Sequence, residues 1–189
     1  MNKKTEIQKL NQRIKNCKKC DLHKTRKNTV PGEGSLNAKI MCVGQAPGSK
    51  EDKTGKPFIG RAGQFLNQLF KMAGIKREKV FITSPIKCFP PKNRKPTKKE
   101  IKTCLPYLLK QIEIINPKKI ILLGEVAFSV FFPKKRLKDF KGKLIKKDNK
   151  EFFITYHPAA GIRFVKMKKV LKKDFKTLSK KLINTHSFF

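Results

Sequence analysis

Short apolar blocks that alternate with helical patterns restrict the fold of this chain more than any other feature. Five short segments are expected to form strands, at residues 39–44, 79–83, 118–123, 143–146 and 151–155. Helical segments lie before and between them, at residues 5–16, 61–73, 97–115, 124–131 and 165–183. Strands that alternate with helices predict an α/β protein whose central sheet is mainly parallel, with helices on both faces.

The chain has the length of one domain, and it shows no internal repeat and no linker. We therefore expect a single domain over residues 1–189, on which the N-terminal segment of about residues 1–37 forms an appendage. Nearly three in ten residues are Leu, Ile, Val or Phe. That share lies above the roughly 20% below which a highly charged chain is expected to stay unfolded.

The formal net charge is +34, from 47 basic and 13 acidic side chains. Such a surface attracts polyanions and favours contact with nucleic acid, although a general bias toward Lys on solvated faces explains much of the excess. No apolar run approaches the roughly 20 residues of a membrane span, and the first residues lack the apolar block of a secretion signal. We expect a monomer that is not secreted or membrane-bound and acts in the cytoplasm, associated with the nucleoid.

Four of the five cysteines are candidate metal ligands. Cys17 and Cys20 form a C-x2-C pair, and Cys88 and Cys104 lie in polar surroundings, whereas Cys42 lies inside an apolar run and is expected in the core. Four thiolates are enough for a zinc site or a [4Fe–4S] cluster, and their spacing does not choose between the two. Unrelated free thiols are the alternative.

Three unusual loops each follow a predicted strand. They begin at Gly44 (sequence GQAPG), Ser84 (SPIKC) and Tyr156 (YHPAA). Ligands of open α/β sheets bind outside the carboxyl ends of the strands, so these loops are expected to converge on one crevice.

The loops also carry a resemblance to a known family. The blocks are CKKCDLHKTRKNTVPGEG from Cys17, GQAPG from Gly44, EDKTGKPFIGRAG from Glu51, KCFPPKNR from Lys87 and HPAA from His157. In order and spacing, over about residues 13–165, they resemble the family 4 uracil-DNA glycosylases. The resemblance implies a three-layer α/β/α sandwich, a [4Fe–4S] cluster, and removal of uracil from single- or double-stranded DNA by base flipping, which leaves an abasic site.

The resemblance also implies roles for individual residues. Gln45 and His157 would be catalytic, with His157 donating to uracil O2 as negative charge develops there. The implied cluster ligands, which would hold the N-terminal segment on the domain, are Cys17, Cys20, Cys88 and Cys104. The implied substrate contacts are Gly44, Ala46, Phe58, Ser84 and Asn93. The implied DNA contacts are Arg94, Pro158 and Arg163.

Two positions depart from the family pattern. Gln45 stands where the family has an acidic residue, and Ser84 stands where it usually has Asn. The first change predicts slower uracil removal, and the second weakens selectivity because a hydroxyl lacks the paired donor and acceptor of an amide. The alternatives are therefore a lesion-binding homologue with weak or no activity, and a glycosylase for another deaminated base such as hypoxanthine or xanthine. A zinc-containing nucleic-acid binder without pocket chemistry is a third possibility.

Overall fold

A six-stranded sheet forms the centre of the part of the chain that the computed structural model describes, residues 2–183. The strands are β1 (Glu33–Gly34), β2 (Ile40–Val43), β3 (Val80–Thr83), β4 (Lys119–Leu123), β5 (Leu144–Lys147) and β6 (Lys150–Thr155). Their order is β1-β3-β2-β4-β6-β5. The four inner strands are parallel, and the short outer strands β1 and β5 are antiparallel to their neighbours. The prediction of a mainly parallel sheet is confirmed.

The helices follow the sequence pattern closely where they are long. They are α1 (Lys3–Lys15), α2 (Leu22–Thr25), α3 (Ser49–Thr54), α4 (Arg61–Met72), α5 (Lys98–Ile115), α6 (Glu125–Phe131), α7 (Pro158–Arg163) and α8 (Val165–Ile183). The five predicted helices correspond to α1, α4, α5, α6 and α8. The short helices α2, α3 and α7 lie in segments that were expected to be loops, because four to six residues are too few to show a helical period.

Helices cover both faces of the sheet, which confirms the three-layer α/β/α sandwich. Successive strand residues point to opposite faces, so each central strand contributes to two cores. Met41 of β2 packs with α1, α5 and α6 on one face, and its neighbour Cys42 packs with α4 and α8 on the other. Cys42 is fully buried, as predicted.

Two local features show how the sequence determines the ends of these elements. The Thr97 hydroxyl accepts from the Glu100 amide at 3.1 Å, and the Glu100 carboxylate accepts from the Thr97 amide at 2.8 Å, which completes the capping box at the start of α5. Asp148 and Asn149 both have positive φ, 48° and 59°, and they form the two-residue turn between β5 and β6.

The N-terminal helix is part of the core rather than an appendage. Ile7, Leu10 and Ile14 of α1 are buried in the same cluster as Leu108 and Ile112 of α5. The single domain over residues 1–189 remains a prediction, and Met1 and residues 184–189 lie outside the described part of the chain. Over residues 2–183, no helix has the length and apolar character needed to cross a membrane.

Candidate active site

The three loops that follow β2, β3 and β6 converge on one cavity, as expected from the sequence. The cavity has a volume of about 670 Å³ and lies at the carboxyl ends of these strands. The structure brings eight of the predicted site residues into its wall, namely Gln45, Ala46, Phe58, Ser84, Asn93, Arg94, His157 and Arg163. Gly44 lies behind the wall, against the Phe58 ring. Pro158 is buried as the first residue of α7.

Phe58 is held in an unusual backbone conformation that directs its ring toward His157. Its φ is 52°, in the left-handed region that non-glycine residues rarely adopt. Its ring centroid lies 5.7 Å from that of His157, with an interplanar angle of 27°. A Cβ atom at Gly44 would meet the Phe58 ring at 2.6 Å, and one at Gly63 would meet the Phe58 carbonyl oxygen at 1.7 Å. Both glycines are therefore required for this placement.

His157 is a neutral hydrogen-bond donor in this environment. Burial lowers the pKa of its imidazole to about 4, against a small opposing effect of Glu51. Its Nδ1 atom accepts from the Ala159 amide at 3.2 Å, at the start of α7. Because Nδ1 is an acceptor, the proton of the neutral ring lies on Nε2. The side chain therefore presents an N–H donor without carrying a charge.

Glu51 is the one carboxylate among the described residues that line the cavity. Its Oε1 atom accepts from the amides of Ile59 and Gly60 at 2.9 and 2.8 Å, and Oε2 accepts from the Gly48 amide at 3.1 Å. Three backbone amides therefore fix the carboxylate and join two loops of the cavity wall. No role for Glu51 was expected from the sequence, although its position three residues after Gly48 is that of a capping-box glutamate.

Polar contacts within the chain hold the loop after β3. The Ser84 hydroxyl donates to the Ile86 carbonyl at 2.6 Å, so its only proton is engaged inside the loop. The Nζ atom of Lys87 donates to the Ser84 carbonyl at 2.7 Å, to Thr83 Oγ1 at 2.6 Å and to Gln111 Oε1 at 2.7 Å. Lys87 is 1% exposed, and burial lowers the pKa of its ammonium to about 7. Sequence reasoning missed Lys87 because a lysine is seldom buried.

Arg94 lines the cavity but is held by an ion pair. Its guanidinium donates to both carboxylate oxygens of Glu100, at 2.9 and 2.6 Å. This partner lowers the pKa of the Glu100 carboxyl to about 2. Arg163, at the end of α7, belongs to the cavity wall, and the next two residues are strongly exposed.

The four cysteines that were predicted as ligands lie around one small cavity. Cys17, Cys20, Cys88 and Cys104 line a small internal cavity of about 10 Å³ between the segment that follows α1 and the amino-terminal half of α5. In the described part of the chain, no three His, Cys, Asp or Glu side chains are arranged to hold a metal ion. The convergence of four thiols in one cavity fits a thiolate-bound iron–sulfur cluster, which spreads its four ligands over several irons.

The fold and the cavity are those of the uracil DNA glycosylase superfamily, whose family profile matches residues 31–179. The chain belongs to this superfamily and, within it, to the type-4 uracil-DNA glycosylases. It is 45% identical to the type-4 uracil-DNA glycosylase of Pyrobaculum aerophilum over 178 residues, which cover 89% of this chain and 91% of the relative. The type-4 uracil-DNA glycosylase of Thermotoga maritima is 45% identical over 157 residues, 82% of each chain. These matches confirm the predicted family and enzyme class.

Proposed function

We propose that the protein hydrolyses the N-glycosidic bond of uracil in DNA and leaves an abasic site. The observation that carries this proposal is the position of His157, whose Nδ1 accepts from the Ala159 amide and whose ring shares one cavity with the Phe58 ring. Because uracil lies inside the stack of a duplex, the nucleotide has to turn out into this cavity, which opens at the carboxyl ends of the strands. One face of the base would then contact the Phe58 ring.

In this mechanism His157 stabilises the leaving base. Cleavage of the glycosidic bond leaves negative charge on the uracil ring, part of it on O2. An N–H donor aimed at that oxygen lowers the barrier, and a donor that is already neutral and fixed needs no reorganisation when the charge develops. The Ala159 amide keeps Nδ1 engaged as an acceptor, so Nε2–H is the donor that remains for the substrate.

Gln45 and Glu51 would act on the sugar side of the reaction. The amide of Gln45 would hold the attacking water by hydrogen bonds, although it cannot accept the proton of this water as a carboxylate does. Glu51 contributes negative charge to the cavity wall. Because three amides neutralise part of that charge, Glu51 would favour the cation-like sugar less than a free carboxylate would.

Cys17, Cys20, Cys88 and Cys104 would hold a [4Fe–4S] cluster. When bound, the cluster supplies iron–thiolate bonds that join the segment after α1 to α5 and to the loop after β3. In this role it is a structural group. A Cys17→Ser variant is therefore expected to lose solubility and stability rather than to change the chemistry of the protein that folds.

The net charge of +34 and the surroundings of the cavity support DNA as the partner. Arg163 lies in the cavity wall, where it would contact a phosphate. Phe164 and Val165 follow it and are 61% and 74% exposed, and apolar side chains of this kind insert between base steps in other DNA-binding proteins. Arg94 and Pro158 would contribute less, because Glu100 engages the first and the second is buried. We expect a monomer that acts in the cytoplasm, at the nucleoid.

The test is base excision from labelled single-stranded DNA with one uracil, detected by alkaline cleavage at the abasic site. A hypoxanthine strand is run in parallel, because the Ser84 hydroxyl is engaged with Ile86 and no Asn amide defines the base edge. Uracil excision that is lost in His157→Ala supports the proposal. Excision of hypoxanthine alone would show that the substrate is another deaminated base rather than uracil. A folded protein that binds the strands and cleaves neither is a lesion-binding homologue, which contradicts the proposal.

A further inference from the structure

The segment Arg26–Asn28 contacts both the cysteine site and the helix that shapes the base cavity. At its first residue, the Arg26 guanidinium donates from Nη1 to Cys88 Sγ at 3.1 Å and from Nη2 to the Lys15 carbonyl at 3.0 Å. Lys15 is the last residue of α1 and lies two positions before Cys17. Arg26 therefore joins two of the three parts of the chain that carry the cysteines, the end of α1 before Cys17 and the loop of Cys88.

At its other end, the same segment is attached to α3. The backbone amide of Lys27 donates to both carboxylate oxygens of Asp52 at 3.0 and 3.1 Å, and the amide of Asn28 donates to Oδ1 at 3.3 Å. The Asn28 side chain donates to the Asp52 carbonyl at 2.8 Å. Asp52 is only 4% exposed, so these amides supply the hydrogen bonds that a buried carboxylate requires.

The residue next to Asp52 is Glu51, whose carboxylate holds the amides of Gly48, Ile59 and Gly60. These amides lie on either side of Phe58, whose ring stacks on His157. A continuous series of hydrogen bonds and adjacent residues therefore runs from a proposed cluster ligand to the wall of the base cavity.

We propose that Arg26 and Asp52 are positioning residues that couple the cysteine site to the shape of the base cavity. Four thiolates on a cluster carry net negative charge, and a charge-assisted hydrogen bond to one of them fixes the guanidinium. The fixed guanidinium holds the Arg26–Asn28 segment, the segment holds Asp52, and α3 holds the loops of the cavity through Glu51. Through these contacts, Arg26 and Asp52 would make substrate binding depend on the state of the cysteine site. This inference rests on the proposed function and on the proposed cluster.

The coupling predicts different effects at its two ends. Arg26→Gln removes the charge beside Cys88 and is expected to speed loss of the cluster to an iron chelator about tenfold, as for other residues that support metal ligands. It is also expected to raise KM for uracil-containing DNA about tenfold, with kcat within about twofold of the parent, in the range for residues that carry coupling between sites. Asp52→Asn is expected to raise KM similarly and to leave the rate of cluster loss unchanged.

The experiment makes three kinds of measurement on the purified brown protein. These are the decay of visible absorbance with a ferrous-iron chelator, KM and kcat on single-stranded uracil DNA, and amide hydrogen exchange of residues 48–60. Arg26→Lys keeps the charge and is expected to restore most of each property. Arg136→Gln removes an exposed cation that pairs with Asp139 and is the matched control, with no expected effect.

The double variant of Arg26→Gln and Asp52→Asn distinguishes coupling from two separate effects. If the two residues are coupled, the KM of the double variant is no higher than the larger KM of the two single variants. Amide exchange of residues 48–60 is then faster in both single variants than in the parent. Multiplicative effects on KM, or faster cluster loss in Arg26→Gln with unchanged exchange at residues 48–60, would overturn the inference. If the unaltered protein excises no base, the proposed function fails, and hydrogen exchange still decides the coupling.

Discussion

The protonation state of His157 makes the sharpest prediction for the reaction. An ordinary imidazole is half protonated near pH 6.5, whereas burial lowers the pKa of His157 to about 4. At pH 6.5 only about 0.3% of the protein would then carry the cation, and about 10% at pH 5. Excision by the neutral Nε2–H donor is therefore expected to show no inflection from His157 between pH 5.5 and 8.

Removal of this donor gives the size of its contribution. One lost donor to a developing oxyanion costs about 10²–10³ in kcat, or about 2.7–4 kcal/mol of transition-state stabilisation. We expect this loss in His157→Ala, with a smaller change in KM because Phe58 and the rest of the cavity wall remain. His157→Gln supplies an amide N–H donor that does not titrate, so it should retain more activity than His157→Ala.

The same burial links His157 to stability. When folding lowers the pKa of a histidine, protonation of that histidine lowers the free energy of unfolding. Its unfavourable contribution is absent above about pH 7 and grows as the pH falls from 6.5 toward 4. A pKa shift of this size would cost at most about 3 kcal/mol of folding free energy, and because His157 is only partly buried the expected cost is about 1–2 kcal/mol. Urea unfolding of the parent and His157→Gln should therefore diverge below pH 6.5.

The assay is single-turnover excision from single-stranded uracil DNA over pH 5–9, with the parent and His157→Gln in the same buffers. Single turnover removes product release from the measured rate. An inflection near pH 6.5 that is present in the parent and absent in His157→Gln would contradict a lowered pKa of His157, because it would belong to an imidazole with an ordinary pKa.

Three further predictions follow from the cavity and its supports. In the same excision assay, Gln45→Glu is expected to raise kcat about tenfold and Gln45→Ala is expected to lower it. Equal rates in the parent and both variants would show that Gln45 has no role in the reaction. Phe164→Ala should slow excision from duplex DNA several-fold more than excision from single strands. Leu109→Ala truncates a 49% exposed side chain on α5 and is the control, with no expected change in either rate. The Glu100 carboxylate, whose pKa is lowered to about 2 chiefly by Arg94, stabilises the fold above about pH 4.5 and loses this contribution as the pH falls toward 2. Glu100→Gln should therefore lower the urea midpoint at pH 6, and its difference from the parent should become much smaller as the pH falls to 2.

Elements that depend on local pattern were predictable. The long helices have enough residues to show a period, the inner strands appear in the sequence as short apolar runs, and the Thr97 capping box determines where α5 begins. The convergence of the loops at Gly44, Ser84 and His157 also followed from the order of strands and helices, because parallel strands end at one edge of the sheet.

Features that depend on distant partners were not predictable. Nothing near Lys87 in the sequence indicates that Thr83 and Gln111 would receive its ammonium in the core. The ion pair that engages Arg94 and the burial of Pro158 likewise come from packing. The ion pair of Arg94 and the burial of Pro158 each limit the contact that the residue can make with DNA.

The sequence by itself determined the sandwich, the family motifs and the set of four cysteines, because these depend on residue type, order and spacing. The tertiary structure decided the tautomer and pKa of His157, the stacking of Phe58 on it, and the path from Cys88 through Arg26 and Asp52 to the cavity. Burial and hydrogen bonding set these properties, and both arise from segments that the chain brings together only when it folds.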